Sequence, residues 1–433
     1  MTRAFTAILA MTALFLLPVP AAAKAAGGFP EGFMWGVGVS GFQHEGHYPD
    51  SNWKRFLAAR KEKDPYQNSV DFRHRYPEDL QRAASLGVGV FRTSVEWARV
   101  EPERGKTDWK EVRYYDDLVS RMVSHGMRPM LSLSHFVHPG WVHDQGAWKN
   151  ERTIEDWLDF AEFVVKRYAK YDVLWVTFNE ASYYILDEVR NKALKLSEVP
   201  TMSANLVKAH RRAYDLIHRL DDDAMVTANV AYSTVLNPLF DRALFTEVPD
   251  KLDYIGLDYY LSMSAANLTV LRVFSGEYWT IEPEPDGLYH VLHDYHRRLP
   301  HLPIYIIENG AGTDDGKPQA DGYQRSHSIS DHVYWIHRAI RDGIDVIGYN
   351  YWSLLDAYEW GAYRPRFGLY TVDVKTDPSL TRRPTEAVAT YRGIIRRNGL
   401  PKGYVPVKEP ARCSLPALLT TCRSLPETPP YPE

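Results

Sequence analysis

Eight short apolar runs, rich in β-branched and aromatic residues, recur along this chain of 433 residues, and segments with the apolar spacing of helices separate them. Strands that alternate with helices form a parallel sheet, and eight such strands close as a (β/α)8 barrel. The sequence therefore predicts an α/β fold with a single TIM barrel and an active site at the carboxyl ends of the strands. The predicted strands are Phe33–Val39, Val88–Val95, Met130–Leu133, Val173–Phe178, Met225–Val230, Leu252–Asp258, Ile304–Ile307 and Val346–Tyr351.

A doubly wound open sheet would show the same alternation of strands and helices. Neither a GxGxxG nor a GxxxxGK[ST] pattern follows the first strand, so the usual reason to prefer the open form is missing. The count of eight strands favours the barrel. The predicted helices are Tyr76–Leu86, Trp109–Ser124, Ile154–Tyr168, Ala204–Leu220, Leu288–Arg298 and Ser328–Arg341.

The first 23 residues have the pattern of a secretory signal peptide. Arg3 is followed by an apolar run from Ala4 to Leu17, and the segment ends in three alanines before Lys24. The run is shorter than the roughly 20 residues that span a bilayer, which argues against a membrane anchor. We therefore expect a secreted protein, extracellular or periplasmic, without a stable membrane anchor after the signal is removed.

The remaining chain divides into a predicted barrel domain, residues 24–400, and a proline-rich tail, residues 401–433. The only two cysteines, Cys413 and Cys422, lie in this tail. Because the chain is predicted to be exported, a disulfide between them is expected, with two free thiols as the alternative.

Composition limits the class of partner. A formal net charge of -4 provides no basic surface, which argues against nucleic acid. Aromatic residues make up 13% of the chain, and although most must fill the core, this excess suits stacking on sugar faces. The sequence does not indicate an oligomeric state.

Two of the predicted strands end in a glutamate. Glu308 closes the run Ile-Tyr-Ile-Ile-Glu, and Glu180 follows Val-Leu-Trp-Val-Thr-Phe-Asn. One such glutamate would most simply begin a solvated loop, but two at the exits of strands four and seven would face each other across the barrel mouth. Cleavage of a glycosidic bond needs such a pair, one acid for the leaving oxygen and one carboxylate for the sugar carbon. Their separation, about 5 Å for a retaining and about 6.5–9.5 Å for an inverting mechanism, cannot be obtained from sequence.

These motifs resemble those of glycoside hydrolase family 1, the β-glucosidase and β-galactosidase family of retaining barrel enzymes, and the resemblance extends from Phe33 to about Thr385. Thr-Phe-Asn-Glu at 177–180 is similar to the acid/base motif, which implies that Glu180 is the general acid/base and that Asn179 holds the sugar 2-hydroxyl. Ile-Glu-Asn-Gly at 307–310 is similar to the nucleophile motif, which implies that Glu308 forms the covalent glycosyl-enzyme.

The same resemblance assigns the surrounding residues. Arg92 in Phe-Arg-Thr-Ser and Tyr260 in Leu-Asp-Tyr-Tyr resemble the arginine and tyrosine that contact the nucleophile. A guanidinium there would keep the carboxylate of Glu308 ionised. The residues implied to bind the sugar substrate are Gln43, His135, Asn179, Trp352, Glu359 and Trp360.

Several positions depart from the family pattern. Phe136, Ala181, Asp258 and Ala357 stand where the family usually has tryptophan, proline, asparagine and asparagine. None of these changes removes a catalytic group, but Asp258 adds a carboxyl near the active face and could alter the pH profile or the favoured substrate.

His135, His138 and His143 lie in one segment and raise the question of a zinc site. Their order lacks helix-face spacing, and His135 has a sugar-binding role by resemblance, so neither a metal nor a cofactor is predicted.

The predicted function is hydrolysis of a small β-glycoside. The carboxylate of Glu359 would repel a 6-phosphate, which disfavours phosphosugars. A transglycosylase that transfers the glycosyl group to a sugar or lipid hydroxyl remains the alternative. A non-catalytic carbohydrate-binding barrel is disfavoured because both glutamates are present. The aglycone and the preference between glucose and galactose stay open.

Overall fold

A computed structural model describes residues 27–60, 63–232, 247–262, 264, 269, 272, 276–319, 321–411 and 427–432. The predicted signal peptide at residues 1–23 and the predicted disulfide between Cys413 and Cys422 lie outside the described residues. Within the described ranges, none of the helices combines the length and apolar character needed to cross a membrane.

Nine parallel strands form one nearly closed barrel, in which β1 pairs with both β2 and β9. The predicted strand Met225–Val230 consists of two segments, β5 and β6, with Ala228 between them. β5 pairs with β4 and β6 pairs with β7, so this divided strand completes the circle. The predicted (β/α)8 barrel is thereby confirmed. The strands are β1 Met34–Gly38, β2 Val90–Ser94, β3 Arg128–Ser132, β4 Leu174–Val176, β5 Met225–Thr227, β6 Asn229–Ala231, β7 Ile255–Tyr259, β8 Ile304–Asn309 and β9 Val346–Trp352.

Helices separate the strands along the chain and cover the outside of the barrel. A typical one is α5, Trp109–Ser124, whose first backbone amides are capped by the carboxylate of Asp108 and whose apolar face is buried. The helices of the described residues are α1 Gly41–Glu45, α2 Asn52–Ala58, α3 Phe72–Leu86, α4 Trp97–Val100, α5 Trp109–Ser124, α6 Gly140–Asp144, α7 Arg152–Tyr168, α8 Ala181–Arg190, α9 Val199–Leu220, α10 Pro285–Arg298, α11 Arg325–Arg341 and α12 Glu386–Arg397.

The core has two parts. The larger apolar cluster lies between the strands and the helices and includes Phe91, Leu131 and Trp175. Neighbouring strand positions belong to a second, smaller cluster, whose members are Val90, Met130, Leu174, Val176, Tyr254, Tyr305 and Ile307. Because successive side chains of a strand point to opposite faces, the second cluster fills the barrel interior.

At the end of β8 the side chains no longer alternate between the interior and the exterior of the barrel. Ile307 belongs to the interior cluster, yet the next residue, Glu308, also points inward and contacts Arg92. The ladder between β7 and β8 shifts register at this point, between Leu257 and Asp258. Such an irregularity redirects a side chain, and here it turns Glu308 toward the barrel mouth.

The described parts of the proline-rich tail pack against the barrel domain. Gly403 and Tyr431 are joined by a backbone hydrogen bond of 2.9 Å, and the ring of Tyr431 is buried. The Tyr334 hydroxyl on α11 donates to the Pro429 carbonyl at 2.6 Å.

Candidate active site

Glu308 is held between a cation and a phenol at the carboxyl end of β8. The guanidinium of Arg92, on β2, donates from Nη1 to Oε1 of Glu308. The hydroxyl of Tyr260, just beyond β7, donates to Oε2 at 2.6 Å. All of this lies in an almost solvent-free space, since Arg92 is fully buried and Glu308 is 4% exposed. Both contacts stabilise the ionised carboxylate and fix its direction.

Glu180 faces this group from the exit of β4. It has a left-handed backbone conformation, with φ of 41°, immediately before α8 begins. One of its carboxylate oxygens lies within 4.8 Å of an oxygen of Glu308. Removal from water, followed by the charge of Glu308, raises the pKa of Glu180 to about 8, although Asp258 and Arg92 act in the opposite direction. Glu180 therefore carries a proton at neutral pH.

The third carboxyl of the site is that of Asp258, at the end of β7. It is fully buried, and an oxygen of Asp258 also lies within 4.8 Å of both glutamates. Asp258 hydrogen-bonds to Glu180, and burial together with the charges of Glu308 and Glu180 raises its pKa well above the ordinary range. The hydrogen bond favours the neutral form of Asp258 and the ionised form of Glu180, as expected when Asp258 is the donor.

The short separation of Glu180 and Glu308 bears on mechanism. Their nearest oxygens are within 4.8 Å, whereas an inverting pair stands about 6.5–9.5 Å apart to admit a water between the acid and the sugar. The geometry is that of a double displacement, in which one carboxylate reaches the sugar carbon directly.

Beside the carboxyls lies a platform of rings and a hydrogen-bonding edge. The ring of His135 stacks at 6.2 Å from Trp352 and at 6.1 Å from Trp360. The amide Nε2 of Gln43 donates to Oε2 of Glu359 at 3.0 Å. Burial raises the pKa of Glu359 to about 8, and its Oε1 has no partner among the described residues. An apolar face flanked by such donors and acceptors is what a polyol needs.

The structure brings all ten predicted site residues into one connected group at the carboxyl edge. Each touches another member through a hydrogen bond, an ion pair, a ring contact or the carboxylate approach described above. These residues are Gln43, Arg92, His135, Asn179, Glu180, Tyr260, Glu308, Trp352, Glu359 and Trp360.

Two residues of the site were missed by sequence reasoning. Asn229 on β6 donates to Asn179 at 2.8 Å and also to Asp258, and an asparagine inside an apolar strand was the available signal. The hydroxyl of Tyr278 lies 3.5 Å from Oε2 of Glu359. It belongs to an irregular stretch that gave no signal.

Comparison with known proteins agrees with this geometry. The model of Glycosyl hydrolase family 1 matches residues 25–243 and 272–400. An aryl-phospho-β-D-glucosidase of Bacillus subtilis is 27% identical over 86% of this chain and 98% of its own length. A galactolipid galactosyltransferase of Arabidopsis thaliana is 30% identical over 71% of this chain but only 55% of its own length. A solved family 1 β-glucosidase of Thermotoga maritima shares the fold, with a TM-score of 0.74, 23% identity and coverage of 87% of this chain and 100% of that one.

Together with this family match, the two closely spaced glutamates at the carboxyl edge of the barrel make the protein a retaining glycosidase. Because the family model covers most of its length, the chain belongs to glycosyl hydrolase family 1, and it is a β-glucosidase-like hydrolase of that family.

Proposed function

We propose that the protein hydrolyses unphosphorylated β-glucosides or closely related β-glycosides, with Glu308 as nucleophile and Glu180 as acid/base. One observation carries the assignment of roles. Glu308 has a guanidinium and a phenol to hold its charge, while Glu180 has surroundings that raise its pKa to about 8. The carboxyl that is paired with a cation suits the role of nucleophile, and the carboxyl whose pKa is raised suits the role of acid.

In the first step, the carboxylate of Glu308 attacks the anomeric carbon while Glu180 gives its proton to the departing glycosidic oxygen. This leaves a glycosyl ester on Glu308 and an ionised Glu180. In the second step, Glu180 takes a proton from water, the oxygen of that water attacks the anomeric carbon, and Glu308 is released as a carboxylate. Arg92 and Tyr260 hold the nucleophile in line.

The experiment is turnover of a panel of aryl β-glycosides combined with labelling by a 2-fluoro sugar, which traps the ester on the nucleophile. Glu308→Gln should nearly abolish turnover, whereas Glu103→Gln, at an exposed glutamate, should leave it unchanged. Peptide mapping should place the label on Glu308. A label on another residue, or full activity of Glu308→Gln, would overturn the assignment.

The proposal excludes 6-phosphorylated sugars. The Bacillus subtilis relative is named for a phosphorylated glucoside, but the sugar pocket of this chain contains the buried carboxyl of Glu359. The amide of Gln43, the hydroxyl of Tyr278 and the indole of Trp352 hydrogen-bond to this carboxyl, and none of these groups is a cation that could bind a phosphate. Above its raised pKa of about 8, the ionised Glu359 would also repel a phosphate.

Transglycosylation is the second candidate, because a relative is named a galactolipid galactosyltransferase. Both reactions pass through the same ester on Glu308, and only the acceptor differs. Product analysis with and without a galactolipid or sugar acceptor distinguishes them. Release of free sugar that is unaffected by either acceptor supports hydrolysis.

We also propose that the protein is secreted. The support is the signal-like pattern of residues 1–23. Expression with these residues intact should yield extracellular or periplasmic protein whose amino terminus lies near Lys24. Retention in the cytoplasm with an uncleaved amino terminus would contradict the proposal.

A further inference from the structure

Two histidines and a glutamate form a cluster outside the catalytic group. His138 and His143 lie in the segment after β3, and Glu188 lies on α8, the helix that follows Glu180. One ring nitrogen of each histidine and one oxygen of Glu188 lie within 4.8 Å of one another. His138 and Glu188 are buried, at 1% and 3% exposure, and His143 is partly exposed. The third histidine of the segment, His135, is not part of this cluster.

The cluster has unused bonding capacity. Nε2 of His138 and Nδ1 of His143 are buried and have no hydrogen-bond partner among the described residues. Glu188 accepts a hydrogen bond of 2.9 Å from Asn52, but none of the ion pairs found in the described ranges includes it. Buried polar atoms without partners are costly. A cation coordinated by these two nitrogens and by Glu188 would give each nitrogen a partner.

The two imidazoles are nitrogen donors of the kind that zinc binds in proteins. The nearby positive charge of Arg55 is already balanced, because its guanidinium pairs with both Asp50 and Asp144.

Surrounding residues hold the cluster in place. Nδ1 of His138 is hydrogen-bonded to the hydroxyl of Tyr184, which also accepts from the indole of Trp148. This leaves Nε2 as the nitrogen available for an ion. Asn52 accepts from the backbone amide of His138 at 3.0 Å and donates to Glu188. Outer contacts of this kind orient the ligands of metal sites.

We propose that His138, His143 and Glu188 bind a zinc ion that links the segment after β3 to α8. Two imidazoles and one carboxylate are the donor set of a three-ligand zinc site whose fourth position takes water. Tetrahedral coordination with bonds of about 2.0–2.1 Å requires ligand atoms about 3.3 Å apart, so the side chains close slightly around the ion. The exposed edge of His143 is the route of entry. The site is independent of the proposed glycosidase mechanism.

The test uses the full-length chain without an affinity tag, stripped with a chelator and dialysed. Calorimetric titration with ZnCl2 should show one tight site per chain, and CoCl2 should produce the intense visible absorption of a tetrahedral site. His143→Ala and Glu188→Gln should each weaken zinc binding by about 100-fold or more, since even outer contacts of metal ligands are worth about 10–100-fold. His301→Ala, which removes an exposed histidine elsewhere, should bind zinc like the wild type.

Thermal unfolding separates the proposed site from a folding defect. Without metal, both ligand variants should unfold at about the wild-type temperature, and zinc should raise the midpoint only for the wild type and His301→Ala. Equal zinc affinity of the wild type and the ligand variants, or absence of tight binding to the wild type, would overturn the proposal.

Discussion

Replacing Asp258 by asparagine tests whether this buried acid is neutral in the working enzyme. Four ionisable groups face Asp258, namely Glu180, Glu308, Arg92 and Tyr260. Only one of the four is a cation, and Arg92 already pairs with Glu308. We therefore expect Asp258 to keep its proton and to donate it in a hydrogen bond to Glu180, a role that the amide of asparagine can also fill.

The expected change in the pKa of Glu180 on replacing Asp258 differs between a neutral and an ionised Asp258. The oxygens of Asp258 and Glu180 lie at most 4.8 Å apart. At that distance an ionised Asp258 would disfavour the ionised form of Glu180 by about 3.5 kcal/mol at an effective dielectric constant of 20. Its removal would lower the pKa of Glu180 by about 2.5 pH units. If Asp258 is neutral, no charge is lost, and the pKa of Glu180 should change by less than about one pH unit.

The assay is kcat/KM as a function of pH for an alkyl β-glucoside, because a poor leaving group needs the proton of Glu180. In the proposed mechanism, activity requires protonated Glu180, whose pKa is raised to about 8, so activity should hold below that pH and fall above it. Asp258→Asn should leave the pH at which activity falls unchanged. Asp258→Ala removes a hydrogen bond to ionised Glu180 and should therefore raise that pH by about 1–2 units.

Asp223→Asn, at an exposed aspartate, is the matched control and should leave the profile unchanged. If activity of Asp258→Asn falls at a pH two units or more below that of the wild type, the reasoning is refuted, because such a shift would show that a charge had been removed.

Three further predictions address the acid/base, the sugar pocket and the core. Glu180→Ala should lower kcat by about 10²–10⁴-fold, and added azide should restore turnover of an activated aryl glycoside, with a glycosyl azide as the product. Glu359→Gln should lower kcat/KM for an aryl β-glucoside by about 2–10-fold, as expected for loss of a hydrogen bond between neutral groups. Above about pH 8, where wild-type Glu359 is ionised, the substitution should also raise activity on a phosphorylated substrate relative to an unphosphorylated one. Arg382→Ala removes the buried one of the two arginines that pair with Asp79 and leaves only the more exposed Arg82, so it should cost about 3 kcal/mol in denaturant unfolding, at the low end for a broken buried pair. Lys106→Ala, in an exposed pair, should cost under about 1 kcal/mol.

The barrel could be predicted because its information is local. Each strand is a short apolar run, and the glutamates stand directly at the ends of two of them. The division of the fifth strand at Ala228 could not be predicted, because one half pairs with β4 and the other with β7. Strand pairing between distant segments leaves no periodic trace in either segment.

Predicted helix ends were accurate, whereas predicted starts were late. The helix ending at Leu86 is stopped by Gly87, whose φ of 87° suits a residue without a side chain. Five of the six predicted helices begin earlier than predicted, and two of these, with Val199 and Pro285 as their first residues, have proline in the first turn. Proline fits there because its missing N–H is not needed, but the first turn adds little to the apolar pattern.

The finer features of the site depend on contacts that the sequence separates widely. Asp258 could be recognised as an unusual acid, but its neutrality follows from its burial beside Glu180 and Glu308. His138 and His143 could be noticed in the sequence, but Glu188 joins them only because α8 packs beside their segment. In each case a carboxyl meets groups from segments that are distant along the chain, and only the folded structure shows the contact.

The arrangement of charges also accounts for the change of role that a double displacement requires of Glu180. Before reaction, the charge of Glu308 is one of the causes that raise the pKa of Glu180, so Glu180 holds the proton that it must donate. In the proposed mechanism, Glu308 becomes a neutral ester once it bonds to the sugar, and this cause disappears. The pKa of Glu180 then falls, helped by Arg92 and the hydrogen bond from Asp258, which both favour its ionised form. Formation of the ester therefore converts Glu180 from an acid into the base that activates water.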